Sequence, residues 1–116
     1  EVNNVQEIYQ KSHVNVLCSA YGEAFPNVLA ESLLNFTPCI STDVGDSSII
    51  LAEVGKIISI GDYKALTTAL IEIHQILKDK NDIYLKNCIM GFEKTNKRYG
   101  IQSIAREYID VWENLI

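Results

Sequence analysis

Proline is scarce in this sequence: Pro26 and Pro38 are the two present in 116 residues. Glycine, at six, is also low, so low-complexity linkers and collagen-like repeats are excluded. Positive charge is outweighed, with ten Lys and Arg against fifteen Asp and Glu and a net charge of −5. No basic run interleaved with aromatics appears, which argues against a nucleic-acid partner. The three cysteines, Cys18, Cys39 and Cys88, are far apart and form no CxxC pair. They are expected to be buried thiols in a reducing compartment. With two histidines, His13 and His74, not grouped with them, no metal site is expected. No apolar run reaches the length of a membrane span, and the first residues do not read as a signal peptide. A cytoplasmic setting is the expectation that follows.

What is present is an ordinary globular balance, 47% hydrophobic and 22% charged, in a length that suits one domain with one core. The pattern alternates. Val2 to Lys11 reads as a helix with Val5, Ile8 and Tyr9 on one side. Val14 to Ser19 is a β-rich apolar run, expected to be a strand buried on both faces. A helix follows over Pro26 to Phe36, a strand over Cys39 to Thr42, and a short helix over Asp46 to Glu53. Lys56 to Ile60 is a third strand. Asp62 is placed to N-cap a long helix to Lys78. Further helices are expected over 81–100 and 101–116. Strands separated by helices predict βαβ units and a parallel sheet, hence an α/β fold.

The segment Gly22-Glu23-Ala24-Phe25-Pro26-Asn27-Val28-Leu29-Ala30-Glu31 carries the most chemistry. Proline is favoured at the first helical position, so Pro26 is expected to begin a helix. Glu23 then lies in the preceding loop and Glu31 within the helix. Unpaired N–H groups of residues 25, 27 and 28 and the positive end of the helix dipole would suit a phosphate. On the helical wheel Leu29, Ala30, Leu33, Leu34 and Phe36 share one side. Asn27, Glu31 and Asn35 line the other, so periodicity by itself makes Glu31 a solvated surface carboxylate. Asp46 is expected to cap the short helix, His13 to be structural, and Phe25 stands equally as core or as part of the loop.

In order, the chain shows a strand ending in Ser19, the two glutamates eight positions apart with seven residues between them, then Thr37-Pro38-Cys39-Ile40-Ser41-Thr42-Asp43-Val44-Gly45-Asp46. Gly55-Lys56-Ile57-Ile58-Ser59-Ile60-Gly61-Asp62 follows. This series resembles the donor-binding part of GT-B glycosyltransferases, most closely the retaining family 4, over about residues 4 to 78. The resemblance implies a partial Rossmann-like domain, with a short parallel sheet flanked by helices. It makes residues 1–116 a C-terminal donor-binding fragment, lacking the N-terminal acceptor domain, the first half of its own domain and the upstream basic residues for the diphosphate. It implies a nucleotide diphosphate sugar as donor, UDP-linked first and GDP-linked second, with no cofactor or metal. Glu31 would accept from the ribose hydroxyls. Glu23 would contact the donor sugar, in catalysis or in binding alone. Ala24, Phe25, Pro26, Asn27 and Val28 would line the donor through their backbone. The full-length parent would be a retaining hexosyltransferase acting on a glycan or lipid-linked acceptor in bacterial surface polysaccharide assembly, peripheral to the inner face of the membrane. The fragment alone is expected to be inactive.

Two departures from the family pattern stand out. Asp46 occupies a position where glycine is usual, and His13 one where an acid is usual. Ile104, Ala105, Tyr108, Ile109, Trp112 and Leu115 form a broad apolar stripe on the last helix. It is expected to be core for the most part, or else to meet the missing domain or a second copy in a homodimer. Two other functions share this scaffold: a nucleotide-sugar epimerase, and a non-catalytic domain that dimerises through the stripe.

Overall fold

The computed structural model describes residues 3–116. Its elements run α1 (Val5–Lys11), β1 (Asn15–Leu17), α2 (Asn27–Leu34), β2 (Cys39–Thr42), α3 (Ser47–Leu51), β3 (Lys56–Ile58), α4 (Tyr63–Asp79), α5 (Asn81–Tyr99) and α6 (Ile101–Leu115). The expected first helix begins later than proposed, and Val2 lies outside the described residues. The three strands form one parallel sheet in the order β1-β2-β3. The fold is the α/β architecture the alternation predicts.

Burial explains the layers. β2 is the central strand and all four of its residues are buried. Cys39 faces a core built with Leu29, Ala30 and Leu33 of α2 and Ile50 and Leu51 of α3. Ile40, the next residue, faces the other way onto Ile58 and Ala69 of α4. Alternation along one strand therefore requires a helix layer on each face. β1 departs from expectation. It is only half-buried, because it lies at one edge of the three-stranded sheet. It also ends at Leu17 rather than Ser19, since its ladder with β2 covers three pairs and Cys18 then turns into the loop. β3 likewise stops at Ile58, leaving Ile60 exposed.

Local chemistry sets the boundaries. The Asp62 carboxylate accepts from the Ala65 N–H at 2.9 Å and caps α4 as expected. α2 ends at Leu34, and beyond it Phe36 stands at φ 61°, where the Thr37 N–H returns to the Ser32 carbonyl. The strain of that left-handed backbone is offset by stacking of Phe36 on Phe92, with centroids 4.5 Å apart. α5 crosses α2 at Gly91, where a Cβ would stand 3.1 Å from Leu33 Cδ2. α6 packs on α5 but buries none of its residues; Trp112 is 69% exposed. The stripe is thus not core, which corrects the expectation for most of its members. Among the described residues no helix is long and apolar enough to cross a membrane.

Cys39 and Cys88 are buried thiols, whereas Cys18 is exposed at the end of β1, contrary to the expectation of three buried ones. Burial pushes the Cys39 thiol up from 9.0 to about 11. The folded state then holds this proton more tightly than the unfolded chain, so the stability it contributes is complete below pH 9 and is lost as pH rises toward 11. Urea titrations at pH 8 and pH 10 are expected to show a loss on the order of 1 kcal/mol. Burial raises Cys88, Tyr9 and Tyr84 in the same sense, so Cys39→Ala should reduce that loss without abolishing it. An unchanged pH slope in the variant would show that Cys39 is not the titrating group.

Candidate functional site

All three strands end at one edge of the sheet, and the loops that leave β1 and β2 meet there. The last residue of β2 begins the construction. Thr42 Oγ1 donates to the Ser19 carbonyl at 2.6 Å, drawing in the chain that leaves β1. Ser19 Oγ in turn donates to Glu23 Oε1 at 2.8 Å. Glu23 is half-buried, and its carboxylate is oriented by the Ser19 hydroxyl. A charge-assisted bond of this kind is stronger than a neutral one.

The chain from Glu23 to α2 is short and turned. The Ala24 carbonyl accepts the Asp46 N–H at 2.8 Å, tying the loop to the turn after β2. Phe25 is 38% exposed and meets Tyr99 edge-on at 5.3 Å, so it bridges the loop to α5 and is neither buried core nor free. Pro26 is buried and stands at the N-cap of α2, with φ −73° and ψ 89°, one position earlier than expected. Its ψ lies outside the helical range, so the helix proper starts at Asn27. Asn27 is exposed, while Val28 packs against the core and its carbonyl accepts from Asn15 Nδ2 at 3.3 Å. The N–H groups of Asn27 and Val28 have no acceptor among the described residues. Two donors and the positive end of the helix dipole are thus left at the start of α2.

Glu31 is the fifth residue of α2, about one and a half turns beyond Asn27's predecessor at ~1.5 Å per residue. It is exposed, as the wheel predicts, but it is not free. Tyr9 Oη donates to Glu31 Oε2 at 3.3 Å. Tyr9 is buried, its carbonyl accepts from Thr37 Oγ1 at 2.7 Å, and it moors α1 beneath α2. Burial first, then the Glu31 charge and hydrogen bond, raise the Tyr9 hydroxyl above its ordinary 10.0, so it remains a donor. The sequence groups Tyr9 with Val5 and Ile8 as an apolar side; both of those are about half exposed and Tyr9 alone is buried. An interior tyrosine usually finds a partner for its hydroxyl, and that was the signal available.

The seven residues expected to form the site therefore lie on one continuous loop and helix start. The two glutamates are held by different partners, Ser19 and Tyr9, and are not bonded to each other. Asp46 corrects its expectation: it stands at the N-cap of α3 but its side chain makes no capping bond, and only its backbone is engaged. His13 contributes its carbonyl to Tyr84 Oη at 2.7 Å, a structural role. The same sheet edge carries an open cleft of about 190 Å³ lined by Cys18, Thr42, Ser59, Asp62 and Tyr63 among others. Among the described residues no three His, Cys, Asp or Glu side chains group so as to hold a metal ion.

Tyr9→Phe removes one hydroxyl and leaves the ring in place. Urea denaturation is expected to show a loss of about 1 kcal/mol, since the partner carboxylate is exposed and the bond is long. A loss of several kcal/mol would show that the hydroxyl anchors the core instead of orienting Glu31.

Compared with known families, residues 1–76 match the family model described as "Glycosyl transferases group 1". No curated protein matches the chain.

Proposed function

The chain belongs to the group 1 glycosyl transferases, and on that premise we propose that residues 1–116 are the C-terminal, donor-binding part of a two-domain retaining enzyme. The observation that carries the proposal is a Glu23 carboxylate oriented by Ser19 beside unpaired N–H groups at the start of α2, at the carboxyl edge of a parallel sheet, with Glu31 oriented by Tyr9 further along the same helix. Ligands of open α/β sheets collect at that edge.

Each group has a chemical part in this proposal. The free lone pairs of Glu31 accept from the vicinal ribose hydroxyls of a nucleotide, with Tyr9 holding the carboxylate in place. The N–H groups of Asn27 and Val28, and of Ala24 and Phe25 before them, face the diphosphate at the positive end of α2. Glu23 contacts hydroxyls of the donor sugar and stabilises positive charge as its C1–O bond lengthens. That bond breaks with both electrons leaving on the nucleotide diphosphate. The acceptor hydroxyl adds to C1 on the same face and passes its proton to the departing phosphate. The proposed donor is a UDP-hexose, with GDP second, and the acceptor a glycan or lipid-linked glycan in bacterial surface polysaccharide assembly. The setting proposed is the cytoplasm, at the inner face of the membrane. Family membership favours transfer over epimerisation.

One observation favours a further role for the last helix. No residue of α6 is buried, and Tyr108, Trp112 and Leu115 are each more than two-thirds exposed. An apolar face of that extent supports association with another surface, including a second copy of the chain. Sedimentation at rising concentration is expected to show self-association that Trp112→Ser weakens; a monomer at every concentration would rule out the homodimer.

The donor site is tested by ligand-observed NMR of the chain with UDP, GDP and ADP. Glu31→Ala should remove the signal of whichever nucleotide binds, since a hydrogen bond to a charged group is worth about 1.5–3 kcal/mol. Binding that survives the substitution would contradict the ribose assignment.

A further inference from the structure

We infer that the turn after β2 is a strap that fixes the Glu23 loop in place, with Gly45 as its positioning residue. Gly45 has φ +50°, in the left-handed region that favours glycine. Space is the harder restriction. A Cβ at position 45 would stand 2.3 Å from the Ala24 carbonyl oxygen and 2.5 Å from that of Glu23. Both obstructing atoms are backbone, so no rotamer change relieves the overlap. To restore ordinary contact the loop would have to retreat by about 1 Å.

The adjoining residue supplies the attraction. The Asp46 N–H donates to the same Ala24 carbonyl at 2.8 Å. The turn thus holds the loop by a hydrogen bond at 46 and admits it by a missing side chain at 45. Thr42, three residues earlier, grips the other end of the loop through the Ser19 carbonyl. One continuous segment, from Thr42 to Asp46, therefore sets where Glu23 stands relative to the start of α2. The Asp46 side chain takes no part, because it makes no capping bond. The geometric claim stands alone; its effect on ligand rests on the donor-site proposal above.

Gly61 provides the control. Its φ is +78° and a Cβ there would meet nothing within 4 Å, so Gly61→Ala carries the backbone strain without the collision. Amide spectra and UDP titrations of the full 116-residue chain are compared for the parent, Gly45→Ala and Gly61→Ala. Gly45→Ala is expected to move the amide signals of residues 19–27 and to weaken UDP binding about tenfold or more, the order of effect of a 1 Å misplacement. Gly61→Ala should do neither. Asp46→Pro is the second variant, used also if Gly45→Ala fails to fold. The φ of −86° at position 46 is near proline's range, so the change deletes the N–H, and the restriction it adds falls on Gly45, within the same turn. It should move the same signals. Signals over 19–27 that move no more in Gly45→Ala or Asp46→Pro than in Gly61→Ala would overturn the strap. A displaced loop with undiminished UDP binding would overturn its positioning role. If the parent chain binds no UDP, the loop signals still decide the strap, and the failure belongs to the donor-site reading.

Discussion

The rest of the structure depends on the burial of β2 between two helix layers. A parallel strand with Cys39 and Ser41 toward one face and Ile40 and Thr42 toward the other has no solvated side. It can exist only with α2 and α3 covering one face and α4 the other. That requirement sends the chain back over the sheet after each strand and brings every strand to the same edge. Thr42, the last buried residue of β2, is polar at the point where the core gives way to the loops. Its hydroxyl is satisfied by the Ser19 carbonyl, as a buried polar group must be, and the bond turns a packing constraint into a placed loop. Glu23 inherits its position from that bond through Ser19.

The two carboxylates are placed by different layers. Glu23 is held from the sheet, through Thr42 and Ser19, whereas Glu31 is held from α1, through a tyrosine kept protonated by burial and by the charge it donates to. Between them lies the start of α2, whose proline offers no N–H and whose next two residues have donors without acceptors among the described residues. Negative side chains at the two ends and positive backbone charge between them suit a ligand that has hydroxyls at its ends and phosphates in the middle. A nucleotide sugar has that order of groups, and membership in the group 1 glycosyl transferases is in keeping with it.

Much of this was legible in the residues. The strand over Cys39 to Thr42 and its place between two helices were read from the residues, and Asp62 announced the start of α4. The two-glutamate segment was legible through its resemblance to the family pattern, since periodicity alone made Glu31 a surface carboxylate. The remainder depended on tertiary contacts that spacing does not encode. The depth of β1 was overestimated because an apolar run cannot say whether its strand is central or at an edge. Asp46 was assigned a cap from its position, yet its carboxylate makes no capping bond and its N–H is what the fold uses. Tyr9 was grouped with the apolar side of α1, and its hydroxyl partner lies 22 residues away on α2. The stripe on α6 was visible, but periodicity marks a face without saying whether anything covers it.

The central claim is that one loop and helix start, organised from β2 and α1, is where nucleotide binds. Mapping amide shift changes across the whole chain on addition of UDP tests it most directly. The account predicts changes concentrated in residues 19–31 and in the turn at 43–46, with Tyr9 responding through Glu31. Changes centred instead on the cleft between α3 and α5, around Glu53, Lys94 and Arg98, with the Glu23 loop unaffected, would contradict it.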